Sequence, residues 1–206
     1  MKKYFVFLFL LMVTSCNAQK HTPMIPEIDN RFEIFDNFKY ESRINKSSRN
    51  FQEFQQDGSS IEMDKDTTYG WYGMTPKDSY YRVTKVYYPN GIIKSKGISA
   101  NTGRFQAGTW YEFDEEGKLI KEIDYDKPFK FTFEDILKFC EKEKIEIKKG
   151  PISQNGWHNE ISRIVENGQP IWKIEYLKKT NLVEIIKLDG ITGKIIDKET
   201  YDYINN

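Results

Sequence analysis

Histidine and cysteine are nearly absent from this chain. His21, His158, Cys16 and Cys140 are all that 206 residues contain. A metal centre needs clustered His, Cys or carboxylate ligands, and neither histidine stands in such a cluster. His158-Asn159-Glu160 matches one half of the zinc-deaminase signature, but the cysteine half is missing. Asp64-x-Asp66 opens like a calcium loop, yet Tyr69 takes the place of the required glycine. Gly91, Gly97, Gly103 and Gly108 are each isolated, so no phosphate-cradling loop is present. Gly150-Pro151-Ile152-Ser153 is not a nucleophile elbow. No cofactor is expected. Carboxylates are plentiful, but nothing in the spacing marks one pair as catalytic. An excess of either charge is also lacking: 31 basic side chains face 31 acidic ones, interspersed. That pattern describes a solvated surface and excludes a basic nucleic-acid-binding stripe. A membrane-spanning helix needs about 20 apolar residues. The apolar run Tyr4–Val13 supplies ten.

That run begins the informative part of the chain. Lys2 and Lys3 precede it and small residues follow, as in a secretory signal. Val13-Thr14-Ser15-Cys16 resembles the cleavage box of bacterial lipoproteins at all four positions. The resemblance implies cleavage before Cys16, acylation of that cysteine, and a membrane as partner through the attached lipid. Several acyl chains hold a protein firmly where one does so marginally. In some Gram-negative groups an acidic cluster after the cysteine directs surface display. Asn17-Ala18-Gln19-Lys20-His21 carries none, which points to an outer-membrane protein facing the periplasm. Removing fifteen residues leaves 191, with 29 basic and 31 acidic side chains. That is one large domain or two small ones. With Cys16 on lipid, Cys140 has no disulfide partner in the mature chain. Phe133, Ile136, Leu137 and Cys140 share one helix face, so Cys140 reads as core rather than nucleophile.

The mature chain divides by pattern. Residues 16–30, with Pro23 and Pro26, read as a tether. Residues 31–40 mix aromatics with acids and leave strand and short helix open. Residues 41–68 are polar, with a turn signal at Asp57-Gly58-Ser59-Ser60. Val83–Tyr88, Pro89-Asn90-Gly91 and Ile92-Ile93-Lys94 spell strand, turn and strand. So do Gly108–Phe113, Asp114–Gly117 and Lys118–Lys121. Tyr87 and Phe113 each stand four residues before the turn glycine, 26 residues apart. Units of this period stack into one sheet. After Pro128 the period changes. Thr132-x-x-Asp135 predicts a capped helix over 133–143. Ile145 and Ile147 then alternate like a strand. Strands are predicted over 157–165, 171–177, 182–188 and 194–201, with a hairpin turn at Asn167-Gly168. The fold class is therefore β-rich α+β. A β-hairpin repeat lobe over 31–128 holds an antiparallel sheet, and a lobe over 129–206 holds a helix plus an antiparallel meander. Trp110 and Trp172 are expected to pack between layers.

Two further resemblances follow from these residues. Gly108-x-Trp110-Tyr111-x-Phe113 with Gly117-Lys118-Leu119 resembles MORN-type repeats, over about 70–126. That resemblance implies extended hairpins used for contact, without catalytic residues. Trp172-Lys-Ile-Glu-Tyr176, Val183-Glu-Ile-Ile and Asp189-Gly-x-Thr192-Gly193-Lys194 are similar to the end of PepSY-type modules, over about 130–203. Those are noncatalytic α+β modules, some of which inhibit or sense peptidases.

Of 31 aromatics, 27 remain after the leader, and Tyr and Trp concentrate between Tyr69 and Tyr111. These residue types anchor interfaces. They also simply favour strands. In an alternating strand about half the rings face out, and Tyr72, Tyr88 and Tyr111 are the candidates for partner binding. The expected function is a noncatalytic envelope lipoprotein that binds a protein. Short lipoproteins with MORN-like hairpins resemble immunity proteins, which neutralise an envelope-acting toxin. An envelope assembly factor and a glycan or peptide hydrolase are the alternatives. Cys16→Ala should release the protein from membranes or leave it unprocessed, as read by fractionation; a variant still cut and membrane-bound would refute the lipid anchor.

Overall fold

A computed structural model describes residues 25–44, 49–152 and 156–204. Among the described residues the chain forms twelve strands and two helices, a β-rich α+β protein. One antiparallel sheet has seven strands. They are β1 (Asn50–Phe54), β2 (Ser60–Lys65), β3 (Gly70–Thr75), β4 (Tyr81–Tyr87), β5 (Ile93–Ala100), β7 (Gln106–Phe113) and β8 (Leu119–Asp124), joined in chain order. The second sheet is the antiparallel meander β9 (Glu160–Glu166), β10 (Gln169–Lys179), β11 (Leu182–Asp189) and β12 (Ile195–Asp202). The two-residue β6 (Gly103–Arg104) adds to it, parallel to β9.

Turn chemistry sets the seven-stranded sheet. Three of its hairpin turns share one hydrogen-bond pattern. Gly58, Gly91 and Gly117 donate their N–H to Gln55, Tyr88 and Asp114 at 3.0, 2.9 and 3.0 Å. Their φ angles of 82°, 86° and 84° are ones that glycine adopts without a Cβ penalty. An aromatic residue enters each turn: Phe54, Tyr87 and Phe113. The Phe54 unit lies inside the polar stretch 41–68, where the sequence shows a turn but no strands.

The helix α2 (Phe133–Glu143) occupies the span predicted for it. Thr132 and Asp135 form a reciprocal capping box, and Lys144 ends the helix at φ 60°. The helix buries Phe133, Ile136 and Cys140. They meet Tyr81, Val83, Ile98 and Ala107 of the first sheet and Ile161, Trp172, Ile174 and Leu188 of the second. The boundary placed at 128/129 falls between β8 and α2, and this single core crosses it. Trp172 has no exposed surface and donates its indole N–H to the Phe131 carbonyl at 2.8 Å. The expected strand at Ile145 and Ile147 is not formed: residues 145–149 pair with no strand. Ile145 is buried because the chain crosses the core edge there, so alternation arises without a ladder. β9 starts at Glu160 rather than Trp157, whose ring packs edge-on against Tyr203 at 4.9 Å.

Residues 25–44 form a strap across one face of the seven-stranded sheet. Ile28 packs on the main core, Ile34 bridges to Ile92, and Phe35 and Tyr40 close a second core with Met63, Tyr87, Ile93 and Phe113. Residues 25–30, assigned to the tether by pattern, belong to this strap. The short helix α1 (Asn37–Arg43) ends it, with Tyr40 donating its hydroxyl to the Arg49 carbonyl at 2.5 Å and the Lys65 carbonyl lying 3.2 Å from the same oxygen. Lys96 fixes the strap. Its side chain is fully buried, and Nζ donates to Asp29 Oδ1 (3.2 Å), the Arg31 carbonyl (2.6 Å) and Glu33 Oε1 (2.5 Å). Lys85 also binds Glu33.

A buried charge stripped of partners costs far more than a partly exposed one. Glu33→Ala should therefore cost about 3 kcal/mol. Lys96→Met should cost less, because Asp29 and Glu33 can hydrate while the stem stays apolar. Urea unfolding midpoints in the reverse order would refute the strap's dependence on this charge. The Asp29 carboxyl is held at about 2, by the Arg31 backbone and side chain first and then Lys96. Burial alone would raise Glu33; hydrogen bonds from Lys85 and Lys96 outweigh it and hold it below its usual 4.5. Lowered carboxyl values mean stability that is present above the ordinary range and lost on acidification. Urea midpoints should fall as pH drops from about 4 towards 2, and less so in Lys96→Met.

Candidate functional site

Period-two alternation splits the seven-stranded sheet into a covered face and an open one. Paired residues Phe51, Met63, Tyr72, Lys85, Lys96 and Tyr111 form one row of the covered face, under the strap. Tyr72 and Tyr111 are half-buried against the second core. Burial pushes the Tyr72 hydroxyl up, and the nearby Glu33 charge adds to it. Tyr88 follows β4 and donates its hydroxyl to the Phe113 carbonyl at 2.9 Å, bracing one hairpin turn against the next. All three candidate tyrosines thus hold the fold. Cys16 lies outside the described residues.

The open face belongs to their neighbours. Trp71 lies beside Tyr72, and the Arg82 guanidinium stacks 4.7 Å from its ring centre. Arg82 pairs with Glu62 at 3.3 Å. Thr84 and Ser99 share a hydrogen bond of 2.6 Å. Trp110, expected between layers, instead lies on this face over Gly97. An added Cβ there would meet the indole at 2.3 Å. Its N–H bonds the Ile98 carbonyl at 2.8 Å, and Tyr125 meets it edge-on at 6.2 Å. Glycine is needed at 97 because only a bare backbone lets a ring lie flat on the strand.

At one end of the open face a groove of about 470 Å³ is lined by Gln52, Glu62, Asp64, Tyr69 and Trp71. Asp66 caps the turn beneath it by accepting from the backbone N–H and hydroxyl of Thr68, both at 2.6 Å. The calcium-like Asp64-x-Asp66 therefore splits, Asp66 into a turn and Asp64 into the groove. Tyr69 donates to Asp64 Oδ2 at 3.3 Å, and the Asp64 charge raises the Tyr69 hydroxyl. Asp64 Oδ1 and Arg82 Nε, flanking Trp71, are buried and have no hydrogen-bond partner among the described residues. Such orphaned atoms are rare in folded proteins, where a bound water, an ion or a partner group meets them.

A second cavity, about 320 Å³, opens between the two sheets against Tyr81, Phe105, Phe129 and Phe133. Arg163 fills its wall, 4.7 to 5.1 Å from the rings of Phe129, Phe105 and Trp172, with its charge paired to Asp126 at 2.6 Å. Its guanidinium is already satisfied, which makes it a packing element. The Asp189–Lys194 element is a turn: Asp189 accepts from Thr192 N–H and hydroxyl at 2.7 and 2.8 Å, and these bonds hold its carboxyl at about 2. Among the described residues no group of three or more His, Cys, Asp or Glu is arranged for a metal ion. No family model matches the chain, and no curated protein or solved structure is significantly similar to it.

The flat indole gives a test of the open face. Gly97→Ala should displace Trp110 and cost about 1–3 kcal/mol, with red-shifted tryptophan fluorescence. Gly73→Ala should cost less, because an added Cβ there meets the far ends of the Arg82 and Trp71 side chains rather than the middle of a ring lying flat on the strand. Equal stability of Gly97→Ala and the parent would place Trp110 elsewhere.

Proposed function

We propose that this chain is a noncatalytic lipoprotein of the bacterial cell envelope, anchored through Cys16 and facing the periplasm. Its open sheet face binds a protein partner. The observation that carries this reading is Trp71, which stands between Asp64 of the groove and Arg82 stacked on its ring, each with one buried polar atom unpaired. A tryptophan between two unsatisfied polar groups is the composition of an interface anchor. MORN-like hairpins supply such a face, and three turns of one geometry support reading the sheet as a hairpin repeat. The PepSY-like end adds a second noncatalytic module. The narrower form of the proposal is an immunity protein that neutralises a toxin delivered into the envelope.

The test is genetic and physical. Cells lacking the protein should be killed by a co-encoded envelope toxin, and the mature protein should bind that toxin directly. Trp71→Ala should weaken binding by about 2 kcal/mol or more, roughly thirtyfold, while urea stability stays near that of the parent. Tyr72→Ala and Tyr111→Ala should instead lower stability. Unchanged survival on deletion, with no toxin bound, would favour an assembly role. Binding unchanged in Trp71→Ala would move the interface off this face.

A further inference from the structure

The strap determines which end of the molecule stands at the membrane. It is bound from Ile28 onward, through the main core, the Lys96 cluster and the Ile34–Ile92 bridge. Cys16 and Ile25 are nine residues apart. Even fully extended, nine residues reach about 30 Å. Given the lipid anchor proposed above, on which this inference rests, Ile25 is kept within that distance of the bilayer.

The surface around Ile25 has the chemistry of a lipid contact. Ile25 is 55 % exposed and lines the same cavity mouth as Phe129 and Arg163. Phe129 and Pro170 both lie against Gly190. Pro170 pairs with Val165, which is 51 % exposed, and Ile191 beside Gly190 is 39 % exposed. Ile25, Phe129, Val165 and Ile191 thus form one apolar end, built from the strap, the β8–α2 connection and two hairpin tips. Lys127 and Lys130, both exposed, flank Phe129. Asp126 and Glu134 at the cavity mouth and the exposed Glu166 beside Val165 balance these lysines, so it is the apolar tips, set in a rim of mixed charge, that suit the headgroup boundary of a membrane. We infer that this end of the protein rests on the lipid surface, with Val165 and Ile191 at the acyl boundary. The occupant of the patch is thus the bilayer that the leash brings to it.

Single-cysteine fluorescent probes on the full lipidated chain test this. Cys140 is 2 % exposed and burial raises its thiol to about 12, so it should not label. Probes at Val165→Cys and Ile191→Cys are compared with one at Phe54→Cys. Phe54 is 66 % exposed on β1, at the sheet edge opposite β8. The variants are placed in vesicles of phosphatidylethanolamine and phosphatidylglycerol carrying an acyl-chain quencher. Quenching at positions 165 and 191 should exceed that at 54 about threefold or more. Equal, weak quenching at all three sites, with the protein still on vesicles, would overturn the inference while leaving the anchor intact. Protein found free of vesicles would refute the anchor itself, and the inference with it.

Discussion

A lysine with no exposed surface sits on the covered face of the seven-stranded sheet, and the strap over that face is built around it. Lys96 cannot be buried alone, because desolvating an ammonium costs several kcal/mol unless its donors are met. Asp29, the Arg31 carbonyl and Glu33 meet all three. They come from one short stretch of chain, so satisfying the charge also fixes the strap's path and direction. Phe35 and Tyr40 are then carried over the hydrophobic end of the same face, where they close the second core. A polar requirement at one residue thereby positions an apolar lid about ten residues long.

That lid decides the chemistry of the two faces. Alternation along each strand sorts side chains into two sets, but it does not say which set meets water. Tyr72 and Tyr111 fall under the strap, while Trp71 and Trp110 fall on the other side. The open face then solves a different problem. Without a covering layer, Trp110 gains burial by lying flat over Gly97 and closing its N–H onto Ile98. Trp71 gains less, since its cover is Arg82, and two polar atoms beside it stay unpaired. The face is therefore finished at one end and unfinished at the other.

Local signals in the sequence were strongest where the chemistry is local. The helix over 133–143 follows from Thr132, Asp135 and a 3.6-residue apolar period, and its ends coincide with the expectation. Turns at Gly91, Gly117 and Asn167-Gly168 follow from residue type, as does the Asp189–Gly193 turn. The Phe54…Gly58 hairpin was less visible, although its aromatic-to-glycine spacing equals that of the other two, because its strands are polar. β1 alternates only between exposed and half-buried residues, and β2 buries just Ser60 and Met63, so the hairpin carries little apolar alternation. The alternation at Ile145 and Ile147 marks burial without a neighbour to pair with.

The sequence by itself determined the β-rich α+β class, the capped helix, the hairpin turns and the free, buried Cys140. Each of these depends on residues within one or two turns of chain, where propensity and hydrogen bonding act without long-range help. Only the tertiary structure decided that both halves share one core, that residues 25–44 are a strap, and that Trp71 and Trp110 rather than Tyr72 and Tyr111 lie on the side of the sheet away from the strap. Those outcomes rest on pairings such as Lys96 with Asp29, 67 residues apart, and Arg163 with Gln106, 57 residues apart. A lone lysine and a lone arginine carry no pattern in sequence. Their meaning comes from which carboxylates and rings the fold brings to them.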